Sequence, residues 1–289
     1  MRQEAVAGKF YKESFDELDK ELNECFTSKF GPGDLPAKRK ESKIKGIISP
    51  HAGYAFSGAC AAWGFMEIAE NEFPDCYIII GPSHYGNKSG ISLEDWRTPF
   101  GMVRNAKDVS IALKNNTDLV IDEEIHEQEH SIEMQVPMLQ FVNKDNLNSI
   151  NIVPILIGRD IEYKKLAFQI SEVLKDLNKS CVFIISSDFT HYGPNYKYVP
   201  FTLDVPKSIN KLDKGAIEKI ISLDVEGFAD YLNSTMITIC GYMPILLFMS
   251  ILQNQEYKGK ASMLMHYTSG DILNDFKNSV SYASILFKD

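Results

Sequence analysis

Three of the six histidines follow short apolar segments whose composition is typical of buried β-strands. His51 comes after the sequence IISP, His84 after IIIGPS, and His191 after VFIISSDFT. Runs of β-branched residues of this length favour strands that are buried on both faces of a sheet. In open α/β sheets, ligands and reactive groups lie just beyond the carboxyl ends of such strands. The repeated placement therefore predicts that these imidazoles share one functional site.

Other chemically active side chains accompany the histidines. Asp188 precedes His191 on the same segment, and Cys240 lies at the start of a later apolar helix. Neutral imidazoles bind Fe, Cu or Zn, a carboxylate adds negative charge, and a thiolate makes the donor set softer. Residues of these kinds at strand ends predict a transition-metal site with an open coordination position.

A second arrangement of histidines suggests a different metal site. His126, Glu127 and His130 form the sequence H-E-x-x-H, which is typical of zinc proteases when it lies on a helix. The flanking residues are mainly glutamate and glutamine, whereas a zinc-protease helix is buried and largely apolar around its motif. We therefore interpret the match as a coincidence, and the metalloprotease is the alternative.

Strand and helix patterns alternate along most of the chain. The predicted strands are Ile44–Ser49, Tyr77–Ile80, Ile150–Ile157, Val182–Ile185, Ala261–Tyr267 and Ser281–Phe287. This alternation predicts an α/β fold with a central mixed, largely parallel sheet and helices on both faces. No repeat or low-complexity linker interrupts it, so residues 1–289 are predicted to form a single domain. A helix is expected over Ser131–Val142, and a helical turn is expected from Asp188 to His191.

Composition excludes several classes of protein. The net charge of the 289 residues is -9, and no basic block offsets it, which argues against binding to nucleic acid or to anionic membranes. The longest apolar run, Ile237–Leu252, is interrupted by Gly241 and Pro244 and is shorter than the ~20 residues that a membrane span needs. The five cysteines include no C-x-x-C pair, which favours a reducing, cytoplasmic location.

Six short motifs together resemble the Memo family over essentially the whole chain. They are AGKFY at residues 7–11, PHAGY at 50–54, GPSH at 81–84, EHSIEMQ at 129–135, SDFTHYG at 187–193 and ICG at 239–241. The resemblance implies a fold similar to that of class III extradiol dioxygenases, non-haem iron enzymes that open catechol rings. It also implies a pocket built from His51, His84, Asp188, His191 and Cys240, in which His51, His84 and Cys240 are the metal ligands.

The implied ligand set differs from that of the dioxygenases in one donor. Those enzymes hold Fe(II) with two histidines and a glutamate, and here Cys240 would stand in the place of the glutamate. A thiolate shifts the preference of a site toward Cu(I) or Zn and changes the potential of bound iron. Fe(II) is the first expectation for the cofactor, with Cu or Zn as alternatives. By analogy, His191 transfers protons, and Asp188 accepts a hydrogen bond from His191, which would orient it, or from a metal-bound water.

Three functions are compatible with these residues. The leading hypothesis is an oxygen-dependent oxidoreductase with a redox metal and a small-molecule or peptide ligand in its cleft. The second is a binding module that uses the same cleft in signalling, without catalysis. The third is a metal-free hydrolase with Cys240 as nucleophile, His191 as base and Asp188 as its orienting group. The sequence leaves the substrate, the protein partners and the oligomeric state open.

Overall fold

A ten-stranded sheet forms the centre of the protein in a computed structural model that describes residues 1–289. The strands are β1 (Ile44–Ser49), β2 (Cys76–Pro82), β3 (Gly90–Ile91), β4 (Trp96–Thr98), β5 (Gly101–Asn105), β6 (Asn151–Ile157), β7 (Cys181–Ser186), β8 (His191–Tyr192), β9 (Lys260–Thr268) and β10 (Ser279–Lys288). The helices are α1 (Phe15–Thr27), α2 (Tyr54–Glu70), α3 (Lys107–Asn116), α4 (Glu124–Glu127), α5 (Gln135–Val142), α6 (Tyr163–Leu177), α7 (Val205–Ile221), α8 (Val225–Thr235), α9 (Tyr242–Asn254) and α10 (Ser269–Leu273).

The sheet is parallel at its centre and antiparallel toward its edges. The strand order is β4-β5-β6-β2-β7-β1-β10-β8, with β3 paired to β6 and β9 paired to β10. Five consecutive strands of this order are parallel to one another, namely β5, β6, β2, β7 and β1. Strand β10 is antiparallel to β1, β8 and β9. The predicted mixed, largely parallel sheet is therefore confirmed.

Helices cover both faces of the sheet and explain why its central strands are apolar throughout. In β2, Ile78 and Ile80 belong to the core beneath α3, α6, α7, α8 and α9. The alternate residues Tyr77 and Ile79 belong to the core beneath α1, α2 and α5. Successive strand residues point to opposite faces, so a strand between two helical layers buries every side chain. No helix is long and apolar enough to cross a membrane.

Two expected local structures differ from those observed. The helix expected over Ser131–Val142 begins only at Gln135, because residues 131–134 form a turn that packs against the end of β2. The helical turn expected from Asp188 to His191 is instead extended, since His191 begins β8 and pairs with Val280 of β10. Pairing with a distant strand outweighs the local preference in this segment. Both departures lie next to a histidine, His130 in the first case and His191 in the second.

Candidate metal centre

Adjacent strands bring the predicted site residues to one edge of the sheet. Strands β2, β7 and β1 are neighbours and run in the same direction. His84 follows β2, Asp188 follows β7 and His51 follows β1, so the three connections meet at the carboxyl ends of these strands. The position agrees with the general placement of sites in parallel sheets.

Three imidazoles converge at this edge. His51, His84 and His130 each offer a ligand atom, and these atoms all lie within 4.8 Å of one another. The rings of His84 and His130 are stacked with centroids 4.6 Å apart, and the ring of His51 stands edge-on to both at 5.1 and 5.4 Å. His51 is buried, His130 half-buried and His84 exposed. Three imidazole nitrogens at this spacing could hold a transition-metal ion.

Hydrogen bonding sets the tautomer of His51. Its Nδ1 lies 2.8 Å from Ser186 Oγ. That hydroxyl donates its single proton to the carbonyl of Ser131 at 2.6 Å and accepts a bond from Gln135 Nε2 at 2.9 Å. Ser186 can therefore only accept from His51, so Nδ1 carries the proton and Nε2 presents a lone pair. Burial, together with the charges of His84 and His130, lowers the pKa of His51 well below its ordinary value, so the ring is neutral.

A carboxylate sets the tautomer of His84. Glu129 Oε1 lies 2.8 Å from His84 Nδ1, and Glu129 Oε2 accepts the main-chain N–H of His84 at 2.6 Å. Burial opposes ionisation of Glu129, but the bonds from His84 and from Ser131 N–H outweigh it and lower the pKa of Glu129 to about 2. The ionised carboxylate only accepts, so His84 Nδ1 donates and Nε2 is free. A carboxylate behind a ligating imidazole is the usual support of a protein metal site.

His130 supplies the observation that tests whether a metal ion fits. Its Nδ1 is buried and makes no hydrogen bond, although Glu129 Oε1 lies 3.4 Å away. Burial and the charge of His84 lower the pKa of His130 to about 4, so the ring is neutral near pH 7. A buried polar atom without a partner is destabilising unless a ligand satisfies it. Together with Nε2 of His84 and Nε2 of His51, the second of which contacts Cys240 Sγ, this atom makes a donor set that fits a metal ion.

Cys240 lies beside this group of three imidazoles. Its Sγ is 3.1 Å from His51 Nε2, although the two residues are far apart in the chain. Gly241 permits this approach, because a Cβ there would lie 2.4 Å from the Cβ of Ser187. Burial, followed by the charge of Asp188, raises the pKa of the Cys240 thiol well above its ordinary value. The position agrees with the expected proximity of Cys240 to His51, and its role as a ligand stays a prediction.

Asp188 and His191 do not form the expected hydrogen bond. Asp188 Oδ1 accepts from the main-chain N–H of His51 at 2.8 Å and of Ala52 at 3.4 Å. His191 Nδ1 lies 2.9 and 3.0 Å from the carbonyls of Phe189 and Thr238. The His191 alternative was wrong because the segment is extended rather than helical, and a metal-bound water as the partner of Asp188 stays a prediction. Asp188 therefore holds the backbone of the His51 loop, while main-chain carbonyls orient His191.

The same contacts weaken the hydrolase hypothesis. A nucleophilic cysteine needs a base within hydrogen-bond reach. The imidazole that contacts Cys240 Sγ is His51, whereas His191 bonds through Nδ1 to carbonyl groups. The expected pairing of Cys240 with His191 is absent.

The H-E-x-x-H sequence does not form a zinc-protease helix. Helix α4 ends at Glu127, so His126 and His130 do not share a helical face. His126 is buried against Trp96, with ring centroids 5.9 Å apart, and neither of its ring nitrogens has a hydrogen-bond partner. His130 belongs instead to the group formed with His51 and His84. The metalloprotease alternative loses its structural basis.

Sequence reasoning from strand ends missed His130 and Glu129. They lie in the loop between α4 and α5, and this loop does not follow a strand. The loop approaches the end of β2 because residue 81 is glycine, since a Cβ there would lie 2.5 Å from Ser131 Oγ. Ser131 Oγ also donates to the carbonyl of Pro82 at 3.0 Å. The motif at residues 129–135 was the available signal, because it contains an acidic residue directly before a histidine.

A cleft of about 550 Å³ opens beside the candidate metal centre. Its lining includes His84, His191 and Cys240, together with Tyr196 and Tyr242. This volume falls within the usual range for sites that bind small molecules. The cleft gives a ligand access to the exposed side of the histidine group.

The fold and this edge define an α/β protein with a histidine group that could hold a metal ion. A family model described as Memo-like protein matches residues 2–286. A MEMO1 family protein of Methanococcus maripaludis is 37% identical over 295 residues, with 99% of each chain covered. MEMO1 family proteins of Sulfurisphaera tokodaii and Methanobrevibacter smithii are 36% and 34% identical over 299 and 297 residues, with both chains fully covered. The chain belongs to the Memo family.

A solved structure supports the fold alone. The crystal structure of an uncharacterized protein from Escherichia coli K12 aligns with a TM-score of 0.50 at 14% sequence identity. The alignment covers 85% of this chain and all of the other. This likeness supports the α/β fold with its mixed, largely parallel sheet.

Proposed function

We propose that this Memo-family chain is a metal-dependent oxidoreductase with Fe(II) as its cofactor, and with Cu or Zn as the alternatives. The observation that carries the proposal is the group of His51, His84 and His130, whose ligand atoms lie within 4.8 Å of one another. Their donors are prepared for an ion, since Ser186 and Glu129 occupy the opposite nitrogens of His51 and His84. Imidazole donors suit Fe, Cu and Zn, and the choice of Fe(II) comes from the resemblance to iron enzymes.

Each residue at the site has a part in this proposal. His51, His84 and His130 would hold the ion, and Cys240 is the candidate for a further ligand beside His51. Bound Fe(II) would supply electron transfer with dioxygen. His191, oriented through Nδ1 by two carbonyls, has Nε2 available to accept a proton from a ligand in the cleft. Asp188 acts on the site by fixing the main chain of His51.

The ligand of the cleft completes the proposal. The cleft volume and its mixture of aromatic and polar side chains suit a small molecule or a short peptide. A cytoplasmic location is part of the same proposal, because ferrous iron and free thiols such as Cys240 persist in a reducing compartment.

Metal content of purified variants tests the ligand set. The full chain would be purified without air or chelators, loaded with Fe(II) and desalted before its iron is measured. We expect about one iron per chain in the wild type, and less than a tenth of that in His51→Ala. His126→Ala is the matched control, because His126 is an equally buried imidazole outside the group. His130→Ala should lose iron as His51→Ala does, and Cys240→Ser shows whether Cys240 is a further ligand. Equal iron loss in His126→Ala and His51→Ala would contradict the assignment.

Oxygen uptake tests the oxidoreductase part. Desalted, iron-loaded protein is given ascorbate as electron donor, and its oxygen consumption is compared with that of iron-free protein and of the His191→Ala variant. We expect uptake only from iron-loaded protein, and His191→Ala should retain iron while its uptake falls. Iron binding without oxygen uptake would favour the non-catalytic binding module.

A further inference from the structure

The cleft beside the metal centre differs in charge from the protein as a whole. The chain contains 39 acidic and 30 basic residues. Among the sixteen residues that line the cleft there is no aspartate or glutamate, and Arg159 is the single lysine or arginine. The carboxylates of the histidine site, Glu129 and Asp188, are buried and are already hydrogen-bonded. A ligand in this cleft therefore faces a positive charge that no lining carboxylate offsets.

The guanidinium of Arg159 forms no hydrogen bond and no ion pair in the structure. Its sequence neighbour Asp160 is the obvious partner, but the two carboxylate oxygens of Asp160 accept bonds from Ser89 Oγ at 2.7 Å and Ser89 N–H at 3.1 Å. Only the main chain of Arg159 is bonded, through its N–H to the carbonyl of Asn87 at 3.1 Å. The fork of five N–H donors thus remains available to a ligand.

The backbone that carries Arg159 is held firmly. Gly158 packs so closely on the loop after β2 that a Cβ there would lie 2.1 Å from the carbonyl oxygen of Asn87. Gly158 N–H also donates to Ser89 Oγ at 2.9 Å. A side chain that projects from a fixed base loses less freedom when it binds a ligand.

Aromatic and aliphatic side chains form much of the rest of the cleft wall, beside polar residues such as Ser83, Asn87 and Thr238. The Arg159 guanidinium carbon lies 5.9 Å from the centroid of the Tyr242 ring, and Tyr196 lies edge-on to His191 with centroids 5.2 Å apart. The other apolar lining residues are Pro82, Ile157, Ile237, Ile239 and Met243. These surfaces suit a planar, apolar molecular body, and the arginine suits an anionic group attached to it.

We propose that Arg159 is a specificity-determining residue and that the substrate class is a small aromatic carboxylate. The carboxylate binds the guanidinium in a bidentate manner, and the ring lies between the tyrosines with its far edge toward His84 and His191. Arginine matches the planar geometry of a carboxylate better than lysine does. This inference rests on the proposed function for the identity of the cleft as a substrate site, but binding itself requires no metal.

Two isosteric probes test the inference on metal-free, full-length protein. Benzoate and benzamide have the same shape and differ in charge, and their dissociation constants are measured by ligand-observed NMR titration. We expect wild-type protein to bind benzoate at least tenfold more tightly than benzamide. Arg159→Met should abolish that difference by weakening benzoate alone, and Arg159→Lys should restore only part of it. Arg104→Met is the matched control, because Arg104 is exposed and lies outside the cleft.

The possible outcomes separate this inference from the proposed function. Three outcomes would overturn the role of Arg159, even if the protein binds iron normally. They are equal affinity for the two probes, no benzoate binding, and the same loss of benzoate affinity in Arg104→Met. A benzoate preference that depends on Arg159 would support it, even if the wild type fails to retain iron. The iron content of Arg159→Met should equal that of the wild type, because Arg159 makes no hydrogen bond to any of the three histidines.

Discussion

Replacement of Glu129 by glutamine tests whether the carboxylate behind His84 prepares the metal centre. Glu129 Oε1 accepts bonds from His84 Nδ1 and from the main-chain N–H groups of His130 and Ser131, at 2.8, 2.9 and 3.0 Å. Glu129 Oε2 accepts the main-chain N–H of His84 at 2.6 Å. In Glu129→Gln, the amide oxygen can keep the first three bonds. The NH₂ group then takes the place of Oε2 and faces the main-chain N–H of His84. Two hydrogen-bond donors would therefore meet in a buried site.

The magnitude follows from that single reversed contact. A hydrogen bond to a charged group contributes about 1.5–3 kcal/mol, and an unsatisfied buried donor is destabilising by a similar amount. We therefore expect Glu129→Gln to lower the free energy of unfolding of the metal-free protein by about 3 kcal/mol. Loss of the negative charge behind His84 should also weaken Fe(II) binding by about 10- to 100-fold, which is typical for such supporting carboxylates.

Urea unfolding and Fe(II) titration under nitrogen measure the two effects separately. Glu133→Gln is the matched control, because Glu133 is a buried carboxylate in the same loop that pairs with Arg2 and accepts a bond from Tyr11 at 2.6 Å. The control should lose at least as much stability, since breaking a buried ion pair is strongly destabilising. Its iron affinity should stay within about threefold of wild type. Equal loss of iron affinity in both variants would show that the effect is a general loosening of the loop.

Three further results are expected. Burial, aided by the charge of Arg2, lowers the pKa of His126 from 6.5 to about 4. The contribution of His126 to stability should therefore be complete above pH 6.5 and fall by about 3 kcal/mol toward pH 4, at ~1.4 kcal/mol per pH unit. Because the pKa values of His51 and His130 are also lowered, urea unfolding of His126→Leu should show a fall that is smaller than that of the wild type by this amount. Gly241→Ala should lose about 1–3 kcal/mol in the same assay, since its Cβ would overlap Ser187, and should bind iron more weakly by displacing Cys240. Fe(II) at about 100 times its Kd should add about 2.7 kcal/mol of stability, and a chelator should reverse that gain, which calorimetry measures.

The strand-end part of the site could be predicted because it depends on local patterns. Apolar runs before His51 and His84 identify strands, and parallel strands necessarily bring their carboxyl ends together. The proximity of Cys240 to His51 was expected only from the family motif, since nothing in its own sequence context places it there. Its approach depends on Gly241, whose contact with the end of β7 is a tertiary feature.

The loop that supplies His130 could not be placed from local patterns. Its position depends on Gly81, which admits Ser131 against β2, and on contacts between residues distant in sequence. The spacing of Asp188 and His191 is equally compatible with a helical turn and an extended segment. The segment is extended because His191 pairs with Val280 of β10. The residues around His191 do not indicate a pairing partner so distant in the sequence.

The position of β1 has a consequence for the order of folding. Strand β1 lies between β7 and β10, and Ile44 at its start pairs with Lys288 at the end of β10. This ladder joins two segments that are far apart in the chain. Closing so long a loop costs much conformational entropy, so the ladder is expected to form late. His51 follows β1 and meets the other ligands through the pairing of β1 with β7, whose partner residues are also far apart in the chain, so the ligands assemble only after long-range strand pairing. The nascent chain therefore offers no preformed site, and metal capture is expected to follow folding rather than to nucleate it.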